Sequence, residues 1–132
     1  MKHLPTISTI LLLLLAASCK PAVKPGKLYG TWKYTKLENP EADPPDTMTS
    51  YQLQSNSPSI KFTKNDSVVI TWSDTVLLRG KFTVDGDKIN VDQTLPGGKS
   101  HQFPFYVSEL TDKRIVFETH GADGSKVTAV KE

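Results

Sequence analysis

The sequence predicts an all-β protein, an antiparallel meander of eight strands that closes into an up-and-down barrel, with a β-sandwich of the same strands as the alternative. Three observations predict it. From residue 30 onward, apolar and polar residues alternate in eight short segments, the period-two pattern of half-buried strands. Turn residues separate the segments, among them Asn65-Asp66, Ser73-Asp74, Asp85-Gly86 and Thr111-Asp112. Gly80 lies inside the longest segment, where a closing sheet needs a sharp bend.

The chain before residue 28 has another character. Met1-Lys2-His3 give a positive start, and an apolar run follows from Ile7 to Ala17. The run is shorter than the ~20 residues of a membrane span and has the form of a signal helix. It ends in Ala16-Ala17-Ser18-Cys19. Small residues directly before a cysteine at this place resemble the lipobox of bacterial lipoproteins. The position three before the cysteine holds Ala16 where that family has Leu. The resemblance implies cleavage after Ser18, a diacylglycerol on the Cys19 thiol, and a further, palmitate-type acyl chain on the new amino terminus. Two or three chains make a stable anchor where one does not. Lys20 stands where an Asp favours inner-membrane retention in that family. The resemblance therefore implies the cell envelope, at the outer membrane and facing the periplasm. A plain secretory cut with a free Cys19 is the alternative.

Residues 20 to 27 form a tether with two prolines and a glycine, expected to be extended and to reach roughly 25 Å at ~3.1 Å per residue. Lys20, Lys24 and Lys27 are either contacts for anionic head groups or solvated linker charges.

The domain opens on Gly30-Thr31-Trp32-Lys33-Tyr34-Thr35-Lys36. In a strand, Trp32, Tyr34 and the stem of Lys36 share one face, and Trp32 is placed to plug a β core. Residues 38–57 form a long polar segment with Pro40, Pro44 and Pro45 and no strand. A helix over Asp46–Gln54, capped by Asp46, is expected within it. A loop of this length is a candidate site for a protein partner. Then Ile60 and Phe62 face inward, followed by Val68, Ile70 and Trp72. Val76, Leu78, Gly80, Phe82 and Val84 alternate with Thr75, Leu77, Arg79, Lys81 and Thr83. Ile89 and Val91, then Phe103, Phe105 and Val107, then Ile115 and Phe117, then Val127 and Ala129 complete the inner face. Pro104 conflicts with its strand, because proline has no N–H for a ladder. Either a bulge lies there or the sheet is open beside it.

Several of these residues carry a family resemblance over residues 28–132. Leu28-Tyr29-Gly30-Thr31-Trp32 resembles the Gly-x-Trp opening of lipocalins. Thr111-Asp112-Lys113 falls between the sixth and seventh strands, where lipocalins carry a Thr-Asp motif. Phe82-Thr83-Val84-Asp85-Gly86-Asp87-Lys88-Ile89 is similar to a hairpin common in the short bacterial lipocalin-like lipoproteins. Lipocalins also pack an arginine from the last strand across the Trp. Here only Lys126 or Lys131 is available for that place. The resemblance implies a barrel whose mouth takes a small apolar ligand, lined by Trp32, Tyr34, Phe62, Trp72, Phe82, Phe103, Phe105 and Phe117. Rings of ~150–250 Å² each can instead fill so small an interior, leaving a barrel that acts through its surface as an accessory or inhibitory lipoprotein.

Other classes find little support. The 132 residues carry a formal charge of +2, with 37% hydrophobic residues and one cysteine. That balance has no basic stripe for nucleic acid, and a single cysteine allows neither an internal disulfide nor a multi-thiolate metal site. His101 and His120 lack partners at ligand spacing, so no metal or cofactor is expected. No nucleophile or phosphate-loop motif is present, and no enzyme activity is expected. Asp46-Thr47-Met48, Asp66-Ser67-Val68 and Asp74-Thr75-Val76 resemble O-glycosylation sites of exported bacterial proteins, but also suit turns.

Overall fold

Strand β1, Gly30–Asn39, is the element on which the sheet closes. The structure, a computed structural model, describes residues 22–42, 44–121 and 124–132. Residues 30–33 of β1 pair with β3 (Ser59–Phe62), and residues 32–38 pair with β9 (Lys126–Lys131). Between them run β4 (Ser67–Trp72), β5 (Thr75–Asp85), β6 (Lys88–Thr94), β7 (Ser100–Leu110) and β8 (Arg114–Glu118). Each pairs antiparallel with its sequence neighbour, so eight strands form a closed barrel. A two-residue strand, β2 (Asp46–Thr47), adds to the far end of β1.

The inner face follows the alternation. Trp32, Ile60, Val68, Ile89, Ile115 and Ala129 have no solvent exposure. Gly80 is required by close approach, because a Cβ there would collide with the carbonyl of Asp92 on β6. Two-residue turns need left-handed backbone. Ser73 and Asp74 adopt it (φ 50° and 65°), as does Gly86 (φ 60°).

Five expectations are corrected in detail. The tether stretch is not extended throughout: Pro25–Leu28 make one helical turn, α1, because proline suits the first helical position. In the 38–57 segment, Asp46–Thr47 join the sheet as β2, and the Met48 N–H donates to the Leu37 carbonyl at 2.9 Å. The helix, α2, therefore spans Ser50–Asn56 and is capped by Thr49 rather than Asp46. Thr49 Oγ1 accepts from the Gln52 N–H at 3.2 Å, and Gln52 Oε1 accepts from the Thr49 N–H at 2.9 Å, a reciprocal capping box.

The remaining corrections come from bulges, where one extra residue reverses the faces beyond it. Thr35 is extra opposite β9, so Lys36 turns outward and Leu37 packs on the core. Leu77 is extra opposite Ile70 and Thr71, so Val76 pairs with outward Thr71 and is 44% exposed instead of buried.

Pro104 meets the second of its two alternatives. The β6–β7 register runs unbroken past it. The Val107 N–H donates to Asp87 on the β6 side, so by alternation the nitrogen of Pro104 faces β8. The β8 ladder stops at Glu118 opposite Tyr106, short of Pro104. The sheet is open there, and no bond is lost.

Candidate functional site

One end of the barrel is closed by the chain that enters it. α1 lies across this end with Leu28 fully buried. The Trp32 Nε1–H donates to the Leu28 carbonyl at 2.8 Å, which fixes the ring under the helix. Lys131 Nζ lies 5.0 Å from the centre of the same ring. Of the two lysines in the last strand, Lys131 is the one that covers the Trp, as a cation on an aromatic face. Lys126 is at the other end of β9, opposite Glu38. Thr111 organises the neighbouring turn, its Oγ1 accepting from the Arg114 N–H at 3.0 Å.

The eight candidate ring residues separate by burial. Trp32, Phe62 and Phe82 occupy the closed end, with Phe62 and Phe82 edge to face at 5.2 Å. Tyr34, Phe105 and Phe117 continue inward, with centroid distances of 6.3 Å for Tyr34–Phe117 and 4.8 Å for Phe105–Phe117. All six are buried. Burial pushes the Tyr34 hydroxyl above its ordinary pKa. Phe103 meets Phe105 at 5.3 Å and is half-buried, with His101 stacked on its outer side at 5.5 Å. Trp72 is half-buried at the end of β4. The rings meet in two groups, Phe62 with Phe82 and Tyr34–Phe117–Phe105–Phe103, and of the eight only Phe103 and Trp72 are half-buried rather than buried.

Among the described residues, clefts of about 450 to 480 Å³ lie along the barrel wall and at its ends. One lies on β5–β7 and is lined by Lys81, Thr83, Asn90, Asp92, Gln102 and Pro104 together with Phe82, Val91 and Phe103. Another lies by His120, whose ring stacks on Tyr106 at 3.8 Å with Glu118 at 3.6 Å. Among the described residues, no three His, Cys, Asp or Glu side chains come together as for a metal.

Three of the four exposed large apolar groups among the described residues lie at the end away from α1; the fourth is Val130. Tyr51 on α2 is 78% exposed and Leu77 on β5 57%. The two elements are joined. The Ser73 N–H donates to the Asn56 carbonyl at 2.7 Å, and Ser73 Oγ donates to Asn56 Oδ1 at 2.9 Å. Tyr51 belongs to the 38–57 segment named from the sequence as a partner site. Val76 and Leu77 were missed. The run Val76-Leu77-Leu78, three apolar residues in an alternating strand, was the signal for them. The three Asp-Ser/Thr motifs differ in access: Thr47 and Thr75 are exposed, while Ser67 Oγ accepts from Lys81 Nζ at 3.1 Å. Cys19 and its lipobox lie outside the described residues.

A closed antiparallel barrel of eight strands, plugged by a Trp from its first strand, defines a lipocalin-like protein. The profile of the lipocalin-like domain family matches residues 28–117, and the chain belongs to that family. The fold is similar to that in the crystal structure of a lipocalin-like protein from Bacteroides uniformis ATCC 8492. The TM-score is 0.57 at 16% identity, over 80% of this chain and 99% of that one. No curated protein matches the sequence.

Proposed function

We propose that this protein is a lipid-anchored lipocalin-like domain that works through its outer surface, binding a protein partner with α2 and the β4–β5 hairpin. The observation that carries the reading is the filled interior. Six of the eight ring residues that would line a ligand site are buried in the core, and five of them make ring contacts with another of the six. Of the four exposed large apolar groups among the described residues, three, Tyr51, Val76 and Leu77, face solvent on two elements held together by hydrogen bonds. Exposed aromatic and aliphatic groups on a rigid support are the anchors protein interfaces use. The reading has Cys19 acylated and the domain at the periplasmic face of the outer membrane, supported by the leader and Lys20. It has no catalytic step, since no nucleophile motif is present.

Photocrosslinkers at positions 51 and 77, with position 83 on the outer wall as control, test this reading in intact envelopes. One partner should be captured from 51 and 77 and not from 83, and Leu77→Asp should weaken capture from 51. Equal capture from all three positions sinks the reading. A second reading, a small apolar ligand at the mouth, is favoured by the half-buried Trp72 and Phe103. It requires saturable binding of a hydrophobic dye that Phe103→Ala abolishes.

A further inference from the structure

We infer that the closed end of the barrel docks on an anionic lipid surface, with Lys24, Lys27 and Lys113 in the head-group layer. The inference rests on the acylation of Cys19, and Val23 supplies its geometry. Val23 is buried in the core, and its N–H donates to the Gly86 carbonyl in the β5–β6 turn at 2.8 Å. From Val23 onward the chain is part of the barrel, not a free spacer. The four residues of contour from Cys19 to Val23 reach at most ~14 Å at ~3.6 Å per residue. Acyl chains in the bilayer therefore hold Val23 within that distance of it, and with Val23 the β5–β6 turn it bonds and the start of α1 two residues on.

The charges at this end fit such a surface. Lys24 is the N-cap of α1 and Lys27 lies within its single turn, and both are exposed. Lys113 is exposed in the β7–β8 turn, and the Lys131 N–H donates to its carbonyl at 2.8 Å, which joins that turn to the Trp32 end. A cleft of about 470 Å³ lies among Lys24, Gly26, Lys27, Asp112 and Lys131. Lys27 Nζ donates to Asp112 at 2.9 Å, and exposed Glu132 follows Lys131, so two acids stand beside the four lysines and the balance of this group stays positive. Asp85 and Asp87 flank Gly86, which makes the lysine side of the end, not the hairpin side, the one that meets anionic lipid. A lysine close to such a surface is worth about fivefold in partitioning. α2 and the β4–β5 hairpin lie at the opposite end and then point away from the bilayer.

The test uses the acylated full chain in phosphatidylcholine vesicles with and without phosphatidylglycerol. Lysines are labelled with a water-soluble amine reagent and read by mass spectrometry. Lys24, Lys27 and Lys113 should label several-fold more slowly in the anionic vesicles, while Lys99 and Lys126 label equally in both. Val23→Pro lacks the N–H that Gly86 accepts and cannot fill the valine site. It should abolish this protection while the protein still floats with the vesicles. A Lys24→Glu, Lys27→Glu double variant, altered only at exposed positions, should expose Lys113 as well. Uniform labelling of a floating wild-type protein, or protection retained in Val23→Pro, overturns the docking. Failure of the wild type to float overturns the anchor itself.

Discussion

Trp32 holds the closed end through two contacts of different kinds. Its indole N–H has a carbonyl partner in α1, and its ring carries the Lys131 ammonium. Removing the ring leaves a cavity, orphans the Leu28 carbonyl and uncovers the lysine. Truncation of a buried Trp costs ~3–5 kcal/mol, against ~5–15 kcal/mol for a whole small domain. Urea unfolding should place the Trp32→Ala midpoint far below wild type. Trp72→Ala, at a half-buried position beside a turn, should lose much less. Equal losses would deprive Trp32 of its role as plug. Tyr34 makes a separate prediction. Burial raises its folded-state pKa above the ordinary value of about 10. The neutral phenol's contribution is complete below that value and is lost as pH rises above it, where the unfolded chain ionises first. Tyr34→Phe keeps the ring and removes the ionisation. Its stability should fall less than that of wild type between pH 9 and 12, about the ordinary tyrosine range, as followed by circular dichroism. Parallel alkaline limbs would show that another group governs that range.

At the scale of elements, α2 depends on its ends. It has seven residues, too few to hold as an isolated helix. The Thr49–Gln52 box closes one end. At the other, the left-handed Ser57 donates its N–H to the Leu53 carbonyl at 2.8 Å. Leu53 buries beneath, and Asn56 receives the Ser73 bonds from the hairpin tip. Thr49→Ala should cost ~1 kcal/mol and speed amide exchange across residues 50–56 and at Ser73 together. Faster exchange in the helix alone would mean that the hairpin does not depend on it. Such elements were unevenly legible in the sequence. Thr49-x-x-Gln52 is a readable capping signature, but Asp46 competed for the cap, and only the pairing of Asp46–Thr47 with Glu38–Asn39 decides between them. The bulges at Thr35 and Leu77 were not legible from period alone. One added residue leaves composition unchanged, and the next strand alone reveals which residue is extra.

For the whole molecule, the inward residues of each strand followed from alternation, because one face meets a core and the other water. Asp85-Gly86 was legible for the same local reason, since left-handed backbone admits few residue types. What could not be read was distant in sequence. Val23 meets Gly86, Ser73 meets Asn56, and Lys131 rather than Lys126 covers Trp32. The candidate site shared that division. The eight rings were named, but whether they enclose a space or fill it depends on where each lies in depth, and that is set by register across strands.

The seam between β1 and β9 also bears on how the chain reaches this state. Trp32 is opposite Lys131, so the first strand of the barrel is completed by the last one made. Synthesis runs from the amino end, and contacts so far apart in sequence form slowly. Until β9 arrives, β1 presents one unpaired edge and Trp32 has no cation over its ring. A chain interrupted before residue 126 can form the internal hairpins and still lack a closed barrel. Its open edges would offer nascent copies a place to pair with one another. Any factor that escorts this protein before completion would therefore need to cover β1.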